Sequence, residues 1–174
     1  MDPLVRSYLG DLNPPQSIED TRKIIQYIID QYRLNGMGRL AVVEKSSGDF
    51  IGWAGLKIER NINGHDQFYD LGYRFMSKYW NKGYASEAAS AVVSYGFHIL
   101  QVDKICAYIQ QGNSSSRRVA EKSGLQLTST FRGECADEWW LEIERTAYAP
   151  EGDSDVVFVP DEGRSSEVLL SEQL

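Results

Sequence analysis

Three β-rich runs follow one another between Leu40 and Met76, and the turns joining them are very short. "LAVVEK" leads through the four-residue turn "SSGD" into "FIGWAGLKIER", and "NINGH" then turns the chain into "QFYDLGYRFM". Connections of this length join antiparallel neighbours, because a parallel pair needs a long crossover. An antiparallel three-stranded unit is therefore predicted, and the rest of the chain must pack on it.

A helix precedes that unit. In "NPPQSIEDTRKIIQYIIDQYRLNG" two prolines and a Ser17–Asp20 capping pair open the run, and Gly36 stops it. Between them Ile18, Ile24, Ile25, Ile28, Ile29 and Tyr32 recur at helical spacing, which predicts an amphipathic helix. After the unit comes "WNKGYASEAASAVVSYGF", a Gly-containing turn entering a second helix. Ala85, Ala88, Ala89, Val92, Val93, Phe97 and Leu100 mark its apolar side, and Ser86, Glu87, Ser90 and Ser94 its polar side. "KICAYIQ" reads as a short strand buried on both faces. "NSSSRRVAEKSG" reads as a short helix ended by Gly124, and "LQLTSTFRGE" and "DEWWLEIERTAYAP" as two more strands. In the last of these Trp139, Leu141 and Ile143 share a face. The order predicts one α+β domain over residues 1–150. The stretch 151–174 is acidic and turn-rich, able to add one or two edge strands or to fray.

Charge narrows the function. Lys and Arg number 18 against 25 Asp and Glu, a formal net charge of −7. A nucleic-acid binder needs a basic face, so that class is not expected. No apolar run approaches the length that spans a bilayer, and "MDPLVRSYLG" lacks a signal-peptide layout. Cys106 and Cys135 have no metal-binding spacing and read as reduced thiols of a cytoplasmic protein. His65 and His98 are far apart, and no metal site is expected.

The turn before the second helix has two readings. Gly83 could serve packing alone, as in many strand-to-helix turns. Alternatively, the small residues let an anion approach the unpaired amides of the first helical turn, where the helix dipole is positive. The turn matches neither GxxxxGK[ST] nor GxGxxG.

The surrounding order carries a resemblance. "DLGYRFMSKYWNKGYASEA", then a helix, a strand and "NSSSRRVAEKSGL", resembles the GNAT superfamily of N-acetyltransferases, in the branch related to ribosomal-protein N-terminal acetyltransferases. The family's acyl-CoA loop, Arg/Gln-x-x-Gly-x-Gly/Ala, is matched by Gly83 and Ala85, with Trp80 at its first position. The second block is matched by Asn113, Ser116, Lys122, Gly124 and Leu125. The resemblance runs from about Asp2 to Ala147. It implies a mixed, mostly antiparallel sheet flanked by helices, with a splayed strand pair at the acyl-CoA site. It also implies direct transfer of an acetyl group from acetyl-CoA to a primary amine, either a protein N-terminus or a small molecule.

Residue roles follow from the resemblance in the same way. The turn from Asn81 through Lys82, Gly83, Tyr84 and Ala85 to Ser86 would cradle the pyrophosphate. Strand amides near Arg74, Phe75 and Met76 would hold the pantetheine and the carbonyl, and Asn113 would bind the pantetheine arm. Many family members protonate the departing thiolate with a Tyr seven residues after the Asn. Here that position is Ala120, which leaves Ser116 as the proton donor or as a helix-start serine. Asp70 is the base candidate, or a strand residue facing solvent or pairing with Arg74. Trp139 and Trp140 line the acceptor cleft or pack the sheet, His65 reads as a solvated loop residue, and His98 as packed on its helix. Family members begin with an edge strand that this chain lacks, so either the tail or a second subunit, as a homodimer, is expected to cover that edge. An acyl-CoA-binding module without catalysis is the alternative function. An unrelated α/β protein binding another phosphate ligand at the turn is a third reading.

Overall fold

The computed structural model describes residues 3–6, 15–149, 157–159 and 167–170. A short helix α1 (Pro3–Arg6) precedes the first long one, α2 (Ile18–Asn35). Ser17 starts α2 with a capping box: its Oγ accepts the Asp20 amide at 3.1 Å, and the Asp20 carboxylate accepts the Ser17 amide at 3.1 Å. Gly36, left-handed at φ 69°, ends it. The helical period read from the sequence is real, but its apolar stripe is not buried. Ile24, Ile25, Ile29 and Leu34 are all exposed, and Tyr32 is the ring that reaches the core.

The antiparallel unit is β1 (Arg39–Glu44), β2 (Phe50–Ile62) and β3 (His65–Phe75). Both hairpin strands run further than predicted. β2 continues to Ile62 and β3 starts at His65, because the turn is confined to Asn63 and Gly64, both with positive φ. A 3-10 turn (Ser77–Tyr79) follows, then α3 (Tyr84–His98), β4 (Lys104–Gln110), α4 (Ser114–Lys122), β5 (Gln126–Arg132) and β6 (Asp137–Glu144). β4 lies parallel to β3 and antiparallel to β6, so six strands run in the order β5-β6-β4-β3-β2-β1. Beyond β1, β8 (Glu167–Leu170) pairs parallel with it, and β7 (Val157–Val159) pairs antiparallel with β8.

The main core lies between α3 and the sheet. Leu56, Leu71 and Phe75 from the strands meet Ala88, Ala89, Val92, Val93 and Phe97 from the helix. Side-chain alternation then sends even-numbered residues of β3 to the opposite face. There Phe68, Cys106 and Trp140 form a second buried cluster with Tyr108 and Phe131 beside it. β6 divides in the same way: Leu141, Ile143 and Trp139 pack on the α3 side, and Trp140 on the other. Among the described residues no helix is long and apolar enough to cross a membrane.

Candidate active site

β3 and β4 are paired through a single register position, Asp70 with Cys106. Both strands then run on, β3 to Phe75 and β4 to Gln110, without further pairing. Their ends diverge, and a cavity of about 570 Å³ opens beside the gap. Tyr73, Arg74 and Phe75 line it from β3, and Trp80, Asn81, residues 83–86 and α4 with its cap Asn113 supply most of the remaining wall.

One wall is the start of α3. Asn81 and Gly83 both take positive φ, 60° and 91°. This kink lets the chain enter the helix with its first amides turned outward. The first intrahelical bond runs from the Glu87 amide to the Gly83 carbonyl at 3.0 Å, so the amides of Tyr84, Ala85 and Ser86 precede it. A Cβ placed on Gly83 would meet no atom within 4 Å, which makes its conformation, not crowding, the reason for glycine. Lys82 does not line the cavity, and its ammonium lies 5.5 Å from the Tyr79 ring centre. Tyr84 lines the cavity while its hydroxyl bonds Glu44, whose carboxylate the Ser47 and Tyr84 hydroxyls hold below the ordinary range.

The facing wall is α4. Asn113 caps the helix, its Oδ1 accepting the Ser116 amide at 3.1 Å. The capping task is thus performed by Asn113, and the Ser116 hydroxyl is not needed for it. Tyr73 reaches across the splay from β3 and donates its hydroxyl to the Ser116 carbonyl at 2.6 Å. Burial pushes the phenol well above its ordinary pKa, so it stays protonated and keeps this bond.

The strand amides separate cleanly. The Met76 amide donates to the Ile51 carbonyl at 3.0 Å, and Met76 is not part of the lining. The Phe75 amide, one residue earlier, points to the opposite edge by strand alternation, toward the splay. Phe75 is therefore the available strand donor and Met76 is not. The indole of Trp80 donates to the Phe75 carbonyl at 2.9 Å and locks this end of β3.

Asp70 is not brought to the cavity. It is 5% exposed, and the Arg39 guanidinium holds its carboxylate at 2.5 Å. That guanidinium also donates to the Asp70 carbonyl at 2.9 Å and to the Gly55 carbonyl. Gly72 makes room for it, since a Cβ there would collide with the guanidinium. The partner is Arg39 and not Arg74, whose guanidinium lies 5.3 Å from the Trp53 ring centre. A carboxylate enclosed in this way is out of reach of a ligand in the cavity, so the base role read from the sequence lacks a geometric footing. His65 is also not a solvated loop residue. It opens β3 and stacks on Trp140 at 4.6 Å with 4° between the rings. His98 does pack on its helix, its Nδ1 lying 3.1 Å from the Ser94 carbonyl.

Sequence reasoning brought Phe75, Asn81, Gly83, Tyr84, Ala85, Ser86, Asn113 and Ser116 to one cavity. It missed Tyr73, Tyr79, Arg118 and Lys122, together with Leu4 and Val5 from α1. The i,i+4 spacing of Arg118 and Lys122 on α4 was the available signal for that pair. Cys106, pushed up to about 12 by burial, is no thiolate nucleophile. The described residues include no metal-binding cluster.

The comparisons agree with this geometry. The acetyltransferase (GNAT) domain family model matches residues 1–126. YkkB, an uncharacterised protein of Bacillus subtilis strain 168, is 33% identical over 131 residues, covering 75% of this chain and 73% of its own. A GNAT-family acetyltransferase from Bacillus anthracis has a crystal structure similar at TM-score 0.66 and 28% identity, covering 83% of this chain and 84% of its own. Spermidine N-acetyltransferase from Vibrio cholerae, solved with CoA and spermine, shares the fold at TM-score 0.65 and 19% identity over 83% of this chain and 84% of its own. With the family model covering most of the chain and the splayed strands, glycine turn and capped α4 all in place, the chain belongs to the GNAT acetyltransferase family.

Proposed function

We propose that this chain transfers an acetyl group from acetyl-CoA directly to a primary amine, and that the cavity beside the β3–β4 splay holds the cofactor. The observation that carries this reading is the pair of facing walls. On one side are the first amides of α3, and on the other α4 with Asn113 and Ser116. The residues present fit the group: the α3 start offers outward amides and partial positive charge, and no carboxylate lines the cavity among the described residues.

Acetyl-CoA would supply an acyl group activated as a thioester. The amides of Tyr84, Ala85 and Ser86 would bind phosphate oxygens, and Asn113 would orient the pantetheine arm through the Nδ2 that capping does not use. The Phe75 amide faces the splay, where a donor stabilises oxyanion charge as it develops. The Ser116 hydroxyl would relay to the departing sulfur the proton that the nitrogen sheds after its attack, and so would end the step protonated. Among the described residues the lining contains neither histidine nor carboxylate, so the amine loses its proton to water. We place the reaction in the cytoplasm, in keeping with two free cysteines, Cys106 and Cys135.

The test is an amine panel monitored by release of free thiol. It should include a peptide N-terminus, a polyamine and small amino compounds. Turnover of acetyl-CoA with at least one acceptor is the expected outcome. Thermal protection by CoA without turnover of any acceptor would favour a binding module instead. Protection by ATP or NAD equal to that by CoA would remove the cofactor assignment.

A further inference from the structure

The three cations of α4 divide between two faces. Arg117 bonds Glu121 at 2.8 Å and lies 5.0 Å from the Trp139 ring centre. Arg118 and Lys122, four residues apart, instead line the cavity, and neither has an acidic partner among the described residues. Two like charges at this spacing repel and weaken a helix. Their presence is the more notable in a chain of net charge −7, whose cavity lining among the described residues contains Arg74, Arg118 and Lys122 but neither Asp nor Glu. A cleft lined by one sign of charge concentrates a ligand of the other sign.

We propose that Arg118 and Lys122 recognise the 3′-phosphate of coenzyme A and so select it over cofactors lacking that group. The proposal rests on the cavity being the acyl-CoA site. α4 rises about 1.5 Å per residue, which puts Lys122 roughly 9 Å along the axis from Ser116 and further from Asn113. Lys122 thus lies beyond the segment of α4 that meets the pantetheine arm, and Arg118, about 3 Å from Ser116 along the axis, stands one turn before Lys122 on the same cavity-lining face. The pyrophosphate already has the α3 amides, and the remaining strongly charged group of the cofactor is the 3′-phosphate monoester, close to dianionic at neutral pH. Arg118 provides a fork of donors for its oxygens, and Lys122 a compact charge.

Titration calorimetry on the full chain with CoA and with 3′-dephospho-CoA tests this. The unaltered protein should bind CoA at least tenfold more tightly, about 1.4 kcal/mol. Arg118→Gln and Lys122→Gln should each weaken CoA by about three- to tenfold and leave 3′-dephospho-CoA within about twofold, as expected for loss of one charge-assisted contact. Both residues are exposed, so the variants should fold normally. Equal weakening of both ligands would move the pair to the pyrophosphate and overturn the proposal. Unchanged CoA affinity would reduce the two cations to solvated surface charges and overturn it as well. If the unaltered protein binds neither ligand, the cofactor reading itself fails, whereas equal binding of the two ligands sinks only the 3′-phosphate assignment.

Discussion

Gly83 sits at φ 91° with open space where a Cβ would stand, so a side chain there is penalised by backbone conformation and by whatever ligand occupies the turn. Gly83→Val should cost about 1–3 kcal/mol of stability through its left-handed β-branched residue. It should also weaken CoA by at least tenfold, about 1.4 kcal/mol, in calorimetry on the folded variant. Unchanged affinity would show that the phosphates lie elsewhere. Asp70 makes a different kind of prediction. Burial outweighs the pull of Arg39 and raises its pKa above the ordinary 3.8. Between the ordinary and the raised value the folded state holds a proton that the unfolded chain has lost. Stability therefore falls as pH rises through that interval and is level above it. Asp70→Asn removes this slope and leaves the Arg39 cation buried without its carboxylate, at a cost of about 3 kcal/mol in denaturant melts. Because Asp70 does not line the cavity, the pH–rate profile should keep its acidic limb. A flattened limb would restore Asp70 as the base.

At the scale of elements, the junction of β3 with α4 positions the proposed proton donor. Asn113 caps α4 and Tyr73 ties the Ser116 carbonyl to β3, so two contacts position Ser116 from opposite sides. Ser116→Ala leaves both intact, since they use backbone atoms of residue 116. It should lower kcat by roughly 10- to 100-fold, toward the low end for a general acid, with CoA affinity unchanged. An unaffected kcat would assign the proton to solvent. The sequence predicted the helix carrying Ser116, because N-cap chemistry is local, but left its capping residue open between Ser and Asn, and the structure gives that task to Asn113. Tyr73 was not legible, because its partner lies 43 residues away and only packing brings them together.

For the whole molecule, the outer edge of β1 is the exposed liability of the sheet, and β8 pairs with it over Ala41 to Glu44. Deleting residues 151–174 should leave β1 with unpaired backbone groups. The shortened protein is expected to melt at a lower temperature or to associate in sedimentation. A monomer of unchanged melting temperature would mean that β8 adds nothing to the sheet.

What the sequence determined alone is whatever depends on near neighbours. The hairpins of β1–β3 follow from their short turns, α2 and α3 from their helical periods, and the tight turn into α3 from Gly83 and the small residues after it. Each is set within a few residues by dihedral preference and capping. Tertiary structure decided the partners. Arg39 and not Arg74 claims Asp70, a choice made when the strand β1 lays its first residue across Gly72. Met76 loses its amide to Ile51, while Phe75 turns its own toward the splay. Arg118 and Lys122 become cavity residues because α4 packs with that face toward the start of α3. Helical spacing marks the two as neighbours, but only the packing of one element on another sets what they face.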